Sequence, residues 1–260
     1  MAQPRALVLR AAGTNCDAET AFAFERCGAR PTVTPAQPFL RDPRMLRDYQ
    51  ILAVPGGFSY GDDILAGKVF GLELVVHAGA EILDLVARGG LVIGICNGFQ
   101  VLVQMGLLPG LKEPIGLPEV TLTDNARLGY LDRWVRLRVD TDQCAFLKQG
   151  EELFLPMAHA EGNLQVAGAE TLEEMKRSRR IALRYARTDG SKRPVEWPDN
   201  PNGSIDDIAG LCDRTGRILG LMPHPERHLF PYQHPFWTRA GLQEVPDGLK
   251  LFQNAVAAIR

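Results

Sequence analysis

The sequence carries few cysteines and no pattern among them. The five fall at positions 16, 27, 96, 144 and 212, an odd number with no C-x-x-C spacing. That excludes a zinc-knuckle arrangement and fits free thiols in a reducing, cytoplasmic setting rather than a disulfide framework. Long apolar runs are missing too: nothing approaches the ~20 residues that span a bilayer. The N-terminal apolar stretch is short and broken by Arg10, which makes it a poor secretion signal. Excess charge is missing as well. With 29 basic and 31 acidic residues the formal net charge is −2, so no electrostatic argument points to nucleic acid or to an anionic membrane. No composition break marks a linker and no segment repeats, and residues 1–260 read as one domain.

A phosphate loop is also lacking. "GDDILAGK", residues 61–68, resembles one at a glance. Five residues separate its glycines where four are needed, and Val69 stands in place of the Ser or Thr. The chain is therefore expected to bind no nucleoside triphosphate and no cofactor of its own.

What is present is an alternation of apolar strands and amphipathic helices. "ALVLRAAG" (Ala6 to Gly13) reads as a buried strand, and a helix follows with Asp17 as its cap and Gly28 as its stop. "RPTVTP" is a second strand. Ile51 to Val54 is a third, ending abruptly in Pro-Gly-Gly. "LELVVHAGAEILDLVARGG" is a long helix, "LVIGI" a strand apolar throughout, and "GFQVLVQMGLLPG" the helix after it. This order predicts an α/β fold with a doubly wound, flavodoxin-like, mostly parallel sheet and helices on both faces. Past Gly110 the texture changes. "RWVRLRV" and "ELFLPMAH" suggest antiparallel strands added to that sheet, and "RIALRYA" another strand after a charged helix near 169–179. "GLCDRTGRILGLMPHPER" suggests a hairpin turning near Asp213 to Gly216, and "LKLFQNAVAAI" a closing helix.

Gly94-Ile-Cys96-Asn-Gly98 matches the G-x-nucleophile-x-G pattern of a strained strand-to-helix turn. A sulfur there faces the oriented N–H groups of the helix start, which stabilise negative charge. The Asn97 amide would point where an oxyanion forms. The same pattern also occurs around packing cysteines in buried strands, since free cysteine is often buried. A nucleophile needs a base, and there are five histidines. His77 lies in an apolar helix, His159 in "MAHAEG", and His228 and His234 in an aromatic, proline-rich loop. His224 ends an apolar strand, where catalytic groups of α/β folds gather. Glu226 lies two residues on and could hold the imidazole in the proton-accepting tautomer. His224 with His228 is discounted as a metal pair, because Pro225 opposes a helix and no third ligand is evident. No metal site is expected. The Gly-Gly turn of "VPGGFSYGDD" allows a second oxyanion donor from Gly57, or is simply a tight turn.

Three separated stretches, "PGGFSYGD", "GICNGFQ" and "PHPE", together resemble a class I glutamine amidotransferase with a Cys-His-Glu triad. With "GTNCD", "DRWVRLRV", "AHAEG", "NPNGS" and "GLMPHPER", the chain is similar to the glutaminase subunits of phosphoribosylformylglycinamidine synthases from about Ala6 to Pro235. The resemblance implies Cys96 as nucleophile, His224 as base and Glu226 as its orienter. It implies Gly57 and Asn97 as backbone oxyanion donors and Gln100 as a residue that helps hold L-glutamine. It further implies a synthetase partner subunit that holds ATP and Mg and receives ammonia for purine biosynthesis, with room for a small third subunit. Two other readings stay open: a different cysteine hydrolase of similar architecture, and a non-catalytic scaffold. The first tends to place a histidine after the cysteine, where this chain has Asn97. The second has no need of Cys96, His224 and Glu226 together.

Overall fold

In the computed structural model, which describes residues 3–112, 115–127, 129–191 and 195–259, strands and helices alternate through the first hundred residues. The strands are β1 (Arg5–Arg10), β2 (Arg30–Pro35), β3 (Ile51–Val54), β4 (Leu91–Ile95), β5 (Val120–Thr123), β6 (Leu131–Val139), β7 (Glu152–His159), β8 (Asn163–Val166), β9 (Ile181–Tyr185), β10 (Ile208–Cys212) and β11 (Ile218–Leu221). The helices are α1 (Asp17–Arg26), α2 (Ala36–Arg41), α3 (Lys68–Ala87), α4 (Asn97–Gln104), α5 (Ala169–Arg177), α6 (Trp237–Ala240) and α7 (Asp247–Ile259).

Among the described residues, nine strands form one sheet in the order β2-β1-β3-β4-β11-β10-β9-β6-β7. The first five pair in parallel and the last four joints are antiparallel. This is the expected doubly wound sheet with antiparallel strands added at one side. β3, β4 and β11 are buried at every position, as strands covered on both faces must be. Helices cover the sheet in pairs, α1 with α7 and α3 with α4. Phe24 of α1 meets Phe252 of α7 edge-on at 5.0 Å between ring centroids, a geometry favoured by the ring quadrupoles.

The structure departs from the sequence reading at several ends. Cys16, not Asp17, occupies the α1 cap position, because the Asp17 carboxylate is drawn to the guanidinium of Arg10. The charged helix stops at Arg177, and Arg179 at φ 56° turns the chain into β9. β5 and β8, which no motif announced, pair into a separate two-stranded sheet. The aromatic loop after His224 packs on the chain itself. His228 and His234 lie 5.0 and 6.1 Å from the Trp134 ring, while Tyr232, Phe236 and Leu242 remain exposed.

The register of the parallel strands is what positions the site. Val54 pairs with Gly94 across β3 and β4, and Ile95 pairs with Leu221 across β4 and β11. All three strands therefore end at one edge, and the residues that follow them share one crevice. The helix after β4 must then pass very close to the end of β3. A methyl group on Gly98 would lie 1.8 Å from the Val54 carbonyl oxygen, so only glycine fits. Gly98→Ala is expected to destabilise the fold by more than about 2 kcal/mol, since the overlap is with backbone rather than a movable side chain. Equilibrium unfolding checks this, and a wild-type midpoint would contradict it.

Candidate active site

Cys96 is the corner between β4 and α4. Its backbone sits at φ 53°, ψ −108°, a conformation rare for a non-glycine residue, and its N–H donates to the Leu221 carbonyl at 2.8 Å. Strain of this kind marks functional corners when the surroundings enforce it. Here the β11 hydrogen bond and the Gly98 approach enforce it. The side chain is 6% exposed. Its sulfur lies 3.7 Å from the Ala158 carbonyl oxygen. Asn97 is the first residue of α4, so its N–H has no carbonyl one turn back to bind. The Asn97 side chain is fully engaged. It accepts from the Ser59 N–H at 3.1 Å and donates to Asp62 and to Gln100 at 3.0 Å each.

His224 follows β11, and its N–H donates to the Pro156 carbonyl at 2.7 Å. Its Nδ1 stands 2.5 Å from Glu226 Oε1, with both side chains almost wholly buried. A carboxylate oxygen accepts, so Nδ1 carries a proton and Nε2 is the nitrogen left to exchange one with a neighbour. Nε2 has no hydrogen-bond partner among the described residues. Burial works against the charged ring, yet the Glu226 carboxylate and the sulfur of Cys96 outweigh it and hold the His224 pKa well above the ordinary 6.5. A methyl group on Gly56 would lie 2.9 Å from His224 Cε1 and 3.4 Å from Cys96 Cβ. The two side chains thus face one narrow gap beside the Gly-Gly turn.

That turn is bound to the loop after β1. Asn15 N–H and Cys16 N–H both donate to the Gly56 carbonyl at 3.2 Å, and Phe58 N–H donates to the Gly13 carbonyl at 2.9 Å. Thr14 and Gly57 are the bridged pair between these bonds. In such a pair the residues' own N–H groups point away from the ladder, so the Gly57 N–H is left free of it. Gly57 has φ 146°, and a methyl there would lie 2.5 Å from the Gly13 carbonyl oxygen.

Cys96, His224, Gly57 and Gln100 line one cavity of about 220 Å³ with Asn15, Asp62, Tyr130, Glu161 and Arg227. This is below the roughly 300–1,000 Å³ of drug-sized sites and suits a small molecule. Gln100 donates to the Glu161 carbonyl and accepts from Asn97, so a ligand contact through its amide competes with both bonds. Asp62 and Glu161 have pKa values raised by burial, and Arg227 supplies the opposite charge. Sequence reasoning did not name these three as site residues. Asp62 stood inside the rejected phosphate loop, Glu161 inside "AHAEG" and Arg227 directly after Glu226, so the signals were proximity to motifs rather than motifs themselves.

His159 lines the same cavity but its ring is engaged elsewhere, and His228 is not among the lining residues. His159 is buried, with Nδ1 3.1 Å from Asn125 Oδ1, and Asn125 in turn donates to the His159 carbonyl at 3.0 Å. His228 Nδ1 lies 3.0 Å from the Phe154 carbonyl. His77 lies exposed on α3.

Residues 3–258 match the family described as the CobB/CobQ-like glutamine amidotransferase domain. The phosphoribosylformylglycinamidine synthase subunit PurQ of Dehalococcoides mccartyi is 43% identical over 258 residues, covering 98% of each chain. The subunit of the same name from Archaeoglobus fulgidus is 38% identical, covering 96% of this chain and 94% of that protein. Among solved structures, PurLQS from Thermotoga maritima matches with a TM-score of 0.73 and 30% identity over 100% of both chains.

Burial, and secondarily the nearby His224, pushes the His159 pKa down to about 3 from 6.5. The ring is therefore neutral at pH 7. The unfolded chain takes up a proton near 6.5 that the folded one refuses, so His159 favours the folded state above that pH. This contribution is lost progressively as pH falls from about 6.5 towards 3. NMR of the His159 ring is expected to show neutral imidazole at pH 5, and a midpoint near 6.5 would contradict its placement.

Proposed function

The chain belongs to the CobB/CobQ-like glutamine amidotransferase family, and from that membership we infer that it is the glutaminase subunit of a phosphoribosylformylglycinamidine synthase. It releases ammonia from L-glutamine, and the synthetase subunit uses that ammonia to make phosphoribosylformylglycinamidine in purine biosynthesis. The synthetase is its partner, as PurL is in the PurLQS structure. ATP and Mg belong to the synthetase's half of the reaction in this reading, along with a cytoplasmic setting and a one-domain chain. No helix among the described residues is long and apolar enough to cross a membrane.

The Cys96 sulfur attacks the side-chain amide carbon of glutamine. The carbonyl oxygen becomes an oxyanion, held by the N–H groups of Gly57 and Asn97. One such donor is worth about 3 kcal/mol in the transition state. His224 takes the thiol proton on Nε2 and gives it to the departing nitrogen, so ammonia leaves and a thioester remains. His224 then draws a proton from water as the water oxygen attacks the thioester carbon, glutamate is released, and His224 returns the proton to the Cys96 sulfur. Glu226 keeps the ring in the required tautomer and stabilises the imidazolium between steps. The observation that supports this reading most is the buried Glu226–His224 pair facing the same gap as Cys96. Asp62 and Glu161 opposite Arg227 give the cavity both signs of charge, which suits a zwitterionic amino acid.

Cys96→Ala in the assembled enzyme separates the two half-reactions. Glutamine-dependent synthesis is expected to fall at least about 1,000-fold, as for other lost nucleophiles, while ammonia-dependent synthesis continues. Unchanged use of glutamine would sink the reading.

A further inference from the structure

One buried group at the site has no part in that chemistry. Cys16, at the start of α1, is 1% exposed. Its sulfur lies 3.9 Å from His224 Nδ1. Cys16 Sγ, one His224 ring nitrogen and one Glu226 carboxylate oxygen all lie within 4.8 Å of one another. We propose that Cys16, His224 and Glu226 form a binding site for a thiophilic divalent cation, Zn²⁺ being the type case, and that its occupancy turns the glutaminase off. The inhibitory half rests on the role proposed above for His224; the binding half does not.

The donor set suits zinc: one thiolate, one imidazole and one carboxylate, with a fourth position open. Tetrahedral zinc with bonds of about 2.3 Å to sulfur and about 2.0–2.1 Å to nitrogen and oxygen needs an S···N edge of about 3.6 Å and an N···O edge of about 3.4 Å. The Cys16–His224 separation of 3.9 Å already approaches the first. The His224–Glu226 separation of 2.5 Å must open towards the second. Glu226 has a way to do this, because its Oε2 is buried with no partner among the described residues. The backbone beneath is fixed, since Cys16 N–H is tied to the Gly56 carbonyl and Thr20 Oγ1 donates to the Cys16 carbonyl at 2.7 Å.

Arg227 Nη2 donates to the Cys16 sulfur at 3.1 Å. A cation must displace that guanidinium, which lines the cavity. Binding releases the Cys16 thiol proton and the His224 Nδ1 proton to solvent. With zinc on Nδ1, a positive charge opposes any proton arriving on Nε2, and the Glu226 carboxylate is diverted from the ring. His224 can no longer take the Cys96 proton. Mg²⁺, a hard ion that prefers oxygen ligands, is not expected to compete. This set differs from His224 with His228, the pair discounted on sequence because Pro225 opposes a helix.

The test is Zn²⁺ titration of the full chain against a chromophoric zinc chelator. One ion per chain is expected. Cys16→Ser is expected to weaken binding at least about 100-fold, beyond the loss seen for groups behind the ligands. Cys96→Ala is expected to retain it. In the assembled enzyme, zinc is expected to stop glutamine-dependent synthesis but not ammonia-dependent synthesis, and Cys16→Ser to resist that inhibition. Wild-type zinc affinity in Cys16→Ser, or lost binding in Cys96→Ala, would each overturn the proposal. Failure of the glutaminase reading would appear separately, as glutamine use that survives Cys96→Ala with zinc binding unchanged.

Discussion

Val54 pairs with Gly94, and Ile95 pairs with Leu221, so three parallel strands run out together at one edge of the sheet. Everything at the site hangs on that register. A slip of one residue in a strand would turn its side chains to the other face. It would take the Gly-Gly turn, Cys96 or His224 out of the shared crevice. The central strands resist such a slip because their apolar side chains are buried on both faces. The Cys96 N–H bond to Leu221 extends the same pairing past the end of β4 and into the strained corner.

On this frame the electrostatics are local. A buried imidazole by itself would be driven neutral, as His159 is. His224 escapes because Glu226 lies against it in the same dry interior. The two rings differ in neighbours rather than in burial: His159 has an amide, Asn125, and His224 has a carboxylate. A buried ion pair of this kind adds little net stability and is costly to break one side at a time. Its value here is a ring that can accept and return a proton. The loop after β1 joins the arrangement by holding the Gly56 carbonyl, and in doing so it brings Cys16 to the far side of His224.

Much of this was legible in the chain itself. β1, β3 and β4 announce themselves because buried parallel strands are nearly pure apolar runs, as "LVIGI" is; β2 carries no such run, and the parallel pairing of β11 with β4 is hidden behind its hairpin with β10. Cys96, His224 and Glu226 carry local signals: glycines around a strand-end cysteine, and a strand-end histidine with a carboxylate two residues on. The hidden parts depend on tertiary contact. Nothing near Cys16 in sequence says that it will stand 3.9 Å from a ring 208 residues away. Asp62, Glu161 and Arg227 come from three separate loops that meet only when the strands align. Asp17 looked like a helix cap until Arg10, across the loop, took its carboxylate.

The central claim is that the corner at Cys96 makes its sulfur, and not the neighbouring Cys16 sulfur, the group that attacks glutamine. An electrophilic glutamine analogue reacted with the intact enzyme, followed by mass mapping of the modified peptide, reads this directly. The account predicts one adduct per chain, on Cys96, blocked by excess L-glutamine. An adduct on Cys16, or labelling of Cys96 that glutamine does not block, would contradict it.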